Sequence, residues 1–82
     1  MKFEELAQTY QDRLGLPQAA ELDALHLACT VAYDIDYLLT WNCKHLANGV
    51  IIHRLQSINL DLGRTTPIIV TPEELLESPE GA

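Results

Sequence analysis

An α/β fold with a short parallel sheet is the class this chain predicts, on three observations. Apolar residues recur at helical spacing near the start, as Phe3, Leu6, Ala7, Tyr10 and Leu14. Two short, continuous apolar runs, at residues 37–40 and 67–70, have strand length and the character of strands covered on both faces. A long amphipathic segment lies between them, as in a right-handed crossover joining parallel strands. The predicted order is helix–helix–strand–helix–strand–helix.

The first helix spans residues 3–14 and ends at Gly15, since glycine takes the left-handed backbone that closes a helix. Leu16 and Pro17 form a turn, because the proline ring disfavours helical geometry at the residue before it. Residues 19–33 are rich in alanine and almost uncharged after Asp23, so this helix is expected to be buried around most of its circumference. Asp34 stands where a Gly or Asn cap would end it. After the first strand, Asn42 is expected to cap a helix from about residue 43 to 60, with Leu46, Val50, Ile51, Leu55, Ile58 and Leu62 on its apolar face and Gly63 as its stop. Thr71, Pro72 and Glu74 form a capping box: a hydroxyl at the cap, proline at the first helical position and glutamate at the third. The short helix they open runs to about Glu77, and residues 78–82 are expected to fray. Two strands alone make a weak sheet, so an unpaired edge is expected beside residues 37–40.

Eighty-two residues make one domain with a modest core. The composition, 48% hydrophobic and 21% charged, is that of a globular protein and contains no apolar run long enough to span a bilayer. The opening Met1-Lys2-Phe3-Glu4-Glu5 lacks the apolar stretch of a signal peptide, which points to the cytoplasm. A net charge of −7 with five scattered Lys and Arg argues against gripping a phosphate backbone unaided. Cys29 and Cys43 have no paired spacing and read as reduced thiols.

Asp23 is the first chemical candidate. A carboxylate in an apolar helix is costly to bury unless it is paired or ligates a cation, although in an exposed first turn it serves the helix dipole equally well. Asn42 reads as a cap that can also turn an oxygen toward a cation, and Thr40 as a strand-end hydroxyl that can do the same. His26 lies about one turn beyond Asp23 and reads as a satisfied core residue before a ligand; His53 reads as surface. Zinc held by Cys29, Cys43, His26 and His45 lacks the usual finger spacing. No glycine-rich phosphate loop is present.

Three blocks in order carry a family resemblance: Asp-Ala-Leu-His-Leu-Ala at 23–28, Asp-Tyr-Leu-Leu-Thr-Trp-Asn-Cys-Lys-His-Leu-Ala-Asn at 36–48, and Pro-Ile-Ile-Val-Thr-Pro-Glu-Glu-Leu-Leu at 67–76. Together they resemble the C-terminal half of a PIN domain of the VapC toxin type. The likeness runs from about residue 4 to 77. It implies an α/β/α sandwich around a parallel sheet, and a cytoplasmic ribonuclease of toxin–antitoxin systems that uses Mg²⁺ or Mn²⁺ held by acidic residues. Asp23 then matches the third acidic position, Asn42 the fourth, and Thr40 a hydroxyl lining the same site. The family's first two acidic positions, on an opening strand and an early helix, have no counterpart here; Glu4 and Glu5 lie on a later helix. One anionic ligand holds Mg²⁺ weakly, and losing a positioned acid or base costs about 10²–10⁴-fold in rate. The isolated chain is therefore expected to be a weak or inactive nuclease. The alternative is a non-catalytic PIN remnant acting through protein contact, by pairing its open sheet edge with a copy of itself or with an antitoxin.

Overall fold

The structure is a computed structural model and describes residues 2–41 and 46–77. Among the described residues, four α-helices and two strands follow one another as α1 (Phe3–Arg13), α2 (Glu21–Ala32), β1 (Tyr37–Leu39), α3 (Gly49–Leu62), β2 (Ile68–Val70) and α4 (Pro72–Glu77), with a 3₁₀ turn at Gln18–Ala20 leading into α2. The fold is mixed α/β. β1 and β2 run parallel, with Tyr37 opposite Ile68, Leu38 opposite Ile69 and Leu39 opposite Val70. No helix among the described residues is long and apolar enough to cross a membrane.

Local chemistry explains where most of the helices stop. α1 closes on Gly15 at φ 67°, with the Leu16 amide donating to the Gln11 carbonyl. α2 closes in the same way on Asp34, which takes φ 53°, while the Ile35 amide donates to the Thr30 carbonyl. This six-to-one bond is the mark of a left-handed helix ending, and aspartate is among the few residues besides glycine that tolerate it. Gly63 repeats the device at the end of α3, with φ 69°. At α4 the expected capping box is present in full. The Glu74 amide donates to Thr71 Oγ1 at 3.2 Å, and the Thr71 amide donates back to Glu74 Oε1 at 3.1 Å.

The start of α3 differs from expectation. Asn48 is its cap, in extended conformation, and its side-chain oxygen accepts from the amides of Val50 at 2.9 Å and Ile51 at 3.4 Å. Leu46 and Ala47 lie in a turn, so the helix begins several residues later than a cap at Asn42 would place it. Asn42, Cys43, Lys44 and His45 are outside the described residues, as is the tail at 78–82. The Asn48-Gly49 pair carries a turn signal of its own, and a cap that satisfies two orphan amides outweighs the apolar continuity upstream. Val50 consequently faces solvent, and Leu46 joins the core from the turn.

The core gathers Leu6, Tyr10 and Leu14 of the α1 region with Leu27 and Val31 of α2, Leu38 of β1, and Leu55 and Ile58 of α3. α1 and α2 share the most extensive packing between elements, and α2 also packs on β1. Two expectations of burial are corrected here. α2 exposes Leu22 and His26, so it is buried along a stripe rather than around most of its circumference. The strands are covered on one face only: Leu38 and Ile69 point into the core, whereas Tyr37 is 58%, Leu39 48% and Ile68 56% exposed. Apolar continuity along a strand fits two covered faces, but the helices present here cover one.

Candidate functional site

The residues singled out in sequence lie where α2 begins and β1 ends. The chain reverses over Asp34, Ile35 and Asp36, and α2 packs on β1. Counting back about 15 Å of helix from Tyr33 reaches Asp23, and counting forward about 13 Å of strand from Asp36 reaches Thr40. Asp23 thus stands in the first turn of α2, and Thr40 at the carboxyl end of the parallel strands. That is the end where open α/β sheets place ligands.

Asp23 is half-buried in the first turn of α2, together with the exposed Glu21. It stands at the positive end of the helix dipole, a favourable place for an acidic side chain. Thr40 is buried, and its amide donates to the Val70 carbonyl at 2.9 Å, which fixes the last rung of the ladder. Asn42, the third member of the expected set, is outside the described residues, so its distance from Asp23 is not defined.

The expected divalent cation finds only part of a site. Among the described residues no group of three or more His, Cys, Asp and Glu side chains converges on a common point. Asp23 alone offers one charged oxygen donor set, and Thr40 is a neutral hydroxyl, so these residues do not by themselves fit a Mg²⁺ or Mn²⁺ ion. His26 and His53 are exposed, and Cys29 is a free, half-buried thiol.

Two features escaped the sequence. The first is a buried polar chain. The Tyr10 hydroxyl donates to Asn59 Oδ1, and Asn59 Nδ2 donates to Thr66 Oγ1 at 2.9 Å. Tyr10 and Asn59 have no exposed surface. Burial pushes the Tyr10 phenol up to about 12, against the opposing pull of the Arg64 charge and the bond to Asn59. The chain ties α1 to α3 and to the segment that enters β2, and it answers the need of buried polar groups for partners. Its signal in sequence is Asn59 itself, a polar residue one turn after Leu55 on the core-facing stripe of α3.

The second is a cleft of about 630 Å³ at the amino ends of both strands, lined by Asp34, Asp36, Tyr37, Thr65, Thr66 and Ile68 among others. It is at the opposite end of the sheet from Thr40. Comparison with family models, with curated proteins and with solved structures gave no match to this chain.

Proposed function

We propose that this chain is the PIN-like part of a metal-dependent ribonuclease site that becomes active only when further acidic residues are supplied by another polypeptide segment. The observations that support it are a half-buried carboxylate in the first turn of α2 and a buried threonine at the carboxyl end of a parallel strand. The resemblance of residues 23–28, 36–48 and 67–76 to the PIN family gives these two residues their chemical meaning. In this reading Asp23 is the anionic contribution of the chain, and Thr40 and Asn42 are neutral contributors. The net charge of −7 is consistent with a protein that leaves phosphate neutralisation to a cation or a partner.

The test is complementation. The purified chain with Mg²⁺ or Mn²⁺ is expected to leave single-stranded RNA intact. Mixed with the N-terminal segment of a VapC-type PIN domain, it is expected to cleave, and Asp23→Asn to reduce that cleavage at least about 10²-fold. Cleavage unaffected by Asp23→Asn, or no cleavage from the mixture, would overturn the reading. A second reading, a non-catalytic module acting through protein contact, draws support from the uncovered apolar face of the sheet. It gains if the mixture is inactive while the chain still associates with a partner.

A further inference from the structure

β1 offers a docking edge as well as a docking face. The Ile68 amide donates to the Asp36 carbonyl and the Thr40 amide to the Val70 carbonyl, so the parallel ladder engages the even-numbered residues of β1. The amides and carbonyls of Tyr37 and Leu39 consequently point to the other edge, where no described strand pairs with them. On the face away from the core, Tyr37 and Leu39 stand beside Ile68 and Val70, an apolar surface of two adjacent strands.

We infer that this open edge and face form a strand-docking site for an extended partner segment that alternates apolar residues with Lys or Arg. The backbone of such a segment pairs with Tyr37 and Leu39, and its alternate side chains lie on the uncovered face. Charge selects among occupants. Asp34 and Asp36, both exposed, flank the entrance to β1 and line the adjoining cleft, and among the described residues no Lys or Arg lines it with them. The exposed ring of Tyr37 adds a surface that attracts a cation. A second copy of this chain brings another net −7, and RNA brings phosphates, so both meet repulsion where a basic segment meets attraction. The acidic entrance lies at the amino ends of the strands, away from Thr40, and docking along this edge does not depend on the nuclease reading.

The experiment titrates two synthetic octapeptides, one alternating valine with lysine and one alternating valine with glutamate, into the isotope-labelled full chain. Amide hydrogen exchange is followed by NMR. The lysine peptide is expected to slow exchange at Tyr37 and Leu39 by about tenfold or more, with an affinity that falls as salt rises from about 50 to 200 mM. The double substitution Asp34→Asn with Asp36→Asn is expected to weaken binding about tenfold with an unchanged circular dichroism spectrum. Leu39→Pro removes only an outward amide, which an edge strand tolerates, and is expected to abolish binding in a chain that still folds. Absence of lysine-peptide binding, equal binding of both peptides, or indifference to the asparagine substitutions overturns the proposal. A dimer in sedimentation with Tyr37 and Leu39 already protected assigns the edge to a second copy, and competition by an RNA oligomer at these amides assigns it to nucleic acid; either outcome overturns it too.

Discussion

On the helical side of the molecule, Leu6, Tyr10, Leu27 and Leu55 are sealed from solvent, and the polar groups buried among them are paired through Asn59. On the sheet, two three-residue strands bury Leu38 and Ile69 and leave Tyr37, Leu39 and Ile68 about half in water. The strands are the more apolar in sequence, Tyr-Leu-Leu and Ile-Ile-Val, yet they are the less buried. The difference lies in cover, because α1 and α2 pack closely and α3 joins their core through Leu55, Ile58 and Asn59, whereas the sheet is packed on one side. Burial stabilises about 25 cal/mol per Å² of apolar surface removed from water, so the helical side holds most of the folding free energy. The sheet's outer face keeps its apolar surface available for association.

Truncating the same side chain in the two regions tests this contrast most severely. Leu27→Ala opens a cavity in the closed core and is expected to cost about 2–5 kcal/mol, enough to unfold a domain of this size in part. Leu39→Ala on the outer face is expected to cost under about 1 kcal/mol in chemical denaturation. Equal costs would mean that the face of β1 is covered in solution and that the contrast is false.

The polar chain through Asn59 sharpens the same point, since it exists only where the core is closed. Tyr10→Phe leaves Asn59 Oδ1 buried without its donor and is expected to cost about 1–3 kcal/mol at neutral pH. It also changes the response to alkali. The folded Tyr10 phenol is raised from 10.0 to about 12, so the folded state holds this proton more tightly than the unfolded chain does. That contribution is complete below pH 10 and is lost as pH rises toward 12, an effect on the order of 2–3 kcal/mol. Denaturant titrations from pH 9 to 12 should therefore show the native chain losing stability more steeply than Tyr10→Phe. Parallel slopes would show that the hydroxyl is reached by solvent.

Features held by a few adjacent residues were legible in the sequence. Gly15, Asp34 and Gly63 end helices because each sits where a left-handed residue is needed, and the Thr71–Glu74 box is satisfied within four residues. The parallel strand–helix–strand order followed from the lengths of the apolar runs. What depended on distant partners was not legible. The cap of α3 is Asn48, next to Gly49, a position that the apolar continuity upstream does not mark. The one-sided cover of β1 and the joining of Tyr10 to Asn59, 49 residues away, are set by packing that no local pattern records. Of the candidate site, the element order places Asp23 in the first turn of α2 and Thr40 at the end of β1, as the sequence pattern implies. Asp34 carries a helix-ending signal in the sequence, but no local pattern marks its place with Asp36 in the cleft at the strand entrance.

Asp34 is where the two regions meet, and it gives the smallest expected effect. It ends the closed side and begins the open one, in a left-handed conformation that glycine adopts at less cost. Asp34→Gly is thus expected to raise stability by about 0.5–1 kcal/mol, a gain of several degrees in melting temperature for a chain of this length. If the carboxylate serves only to end α2, that gain comes without penalty. If it serves the docking edge, the same variant should fold more tightly and bind the valine–lysine peptide more weakly. Opposed changes in one substitution separate a residue kept for recognition from one kept for the turn. A variant that is more stable and binds as well as the native chain would move the electrostatic role to Asp36 alone.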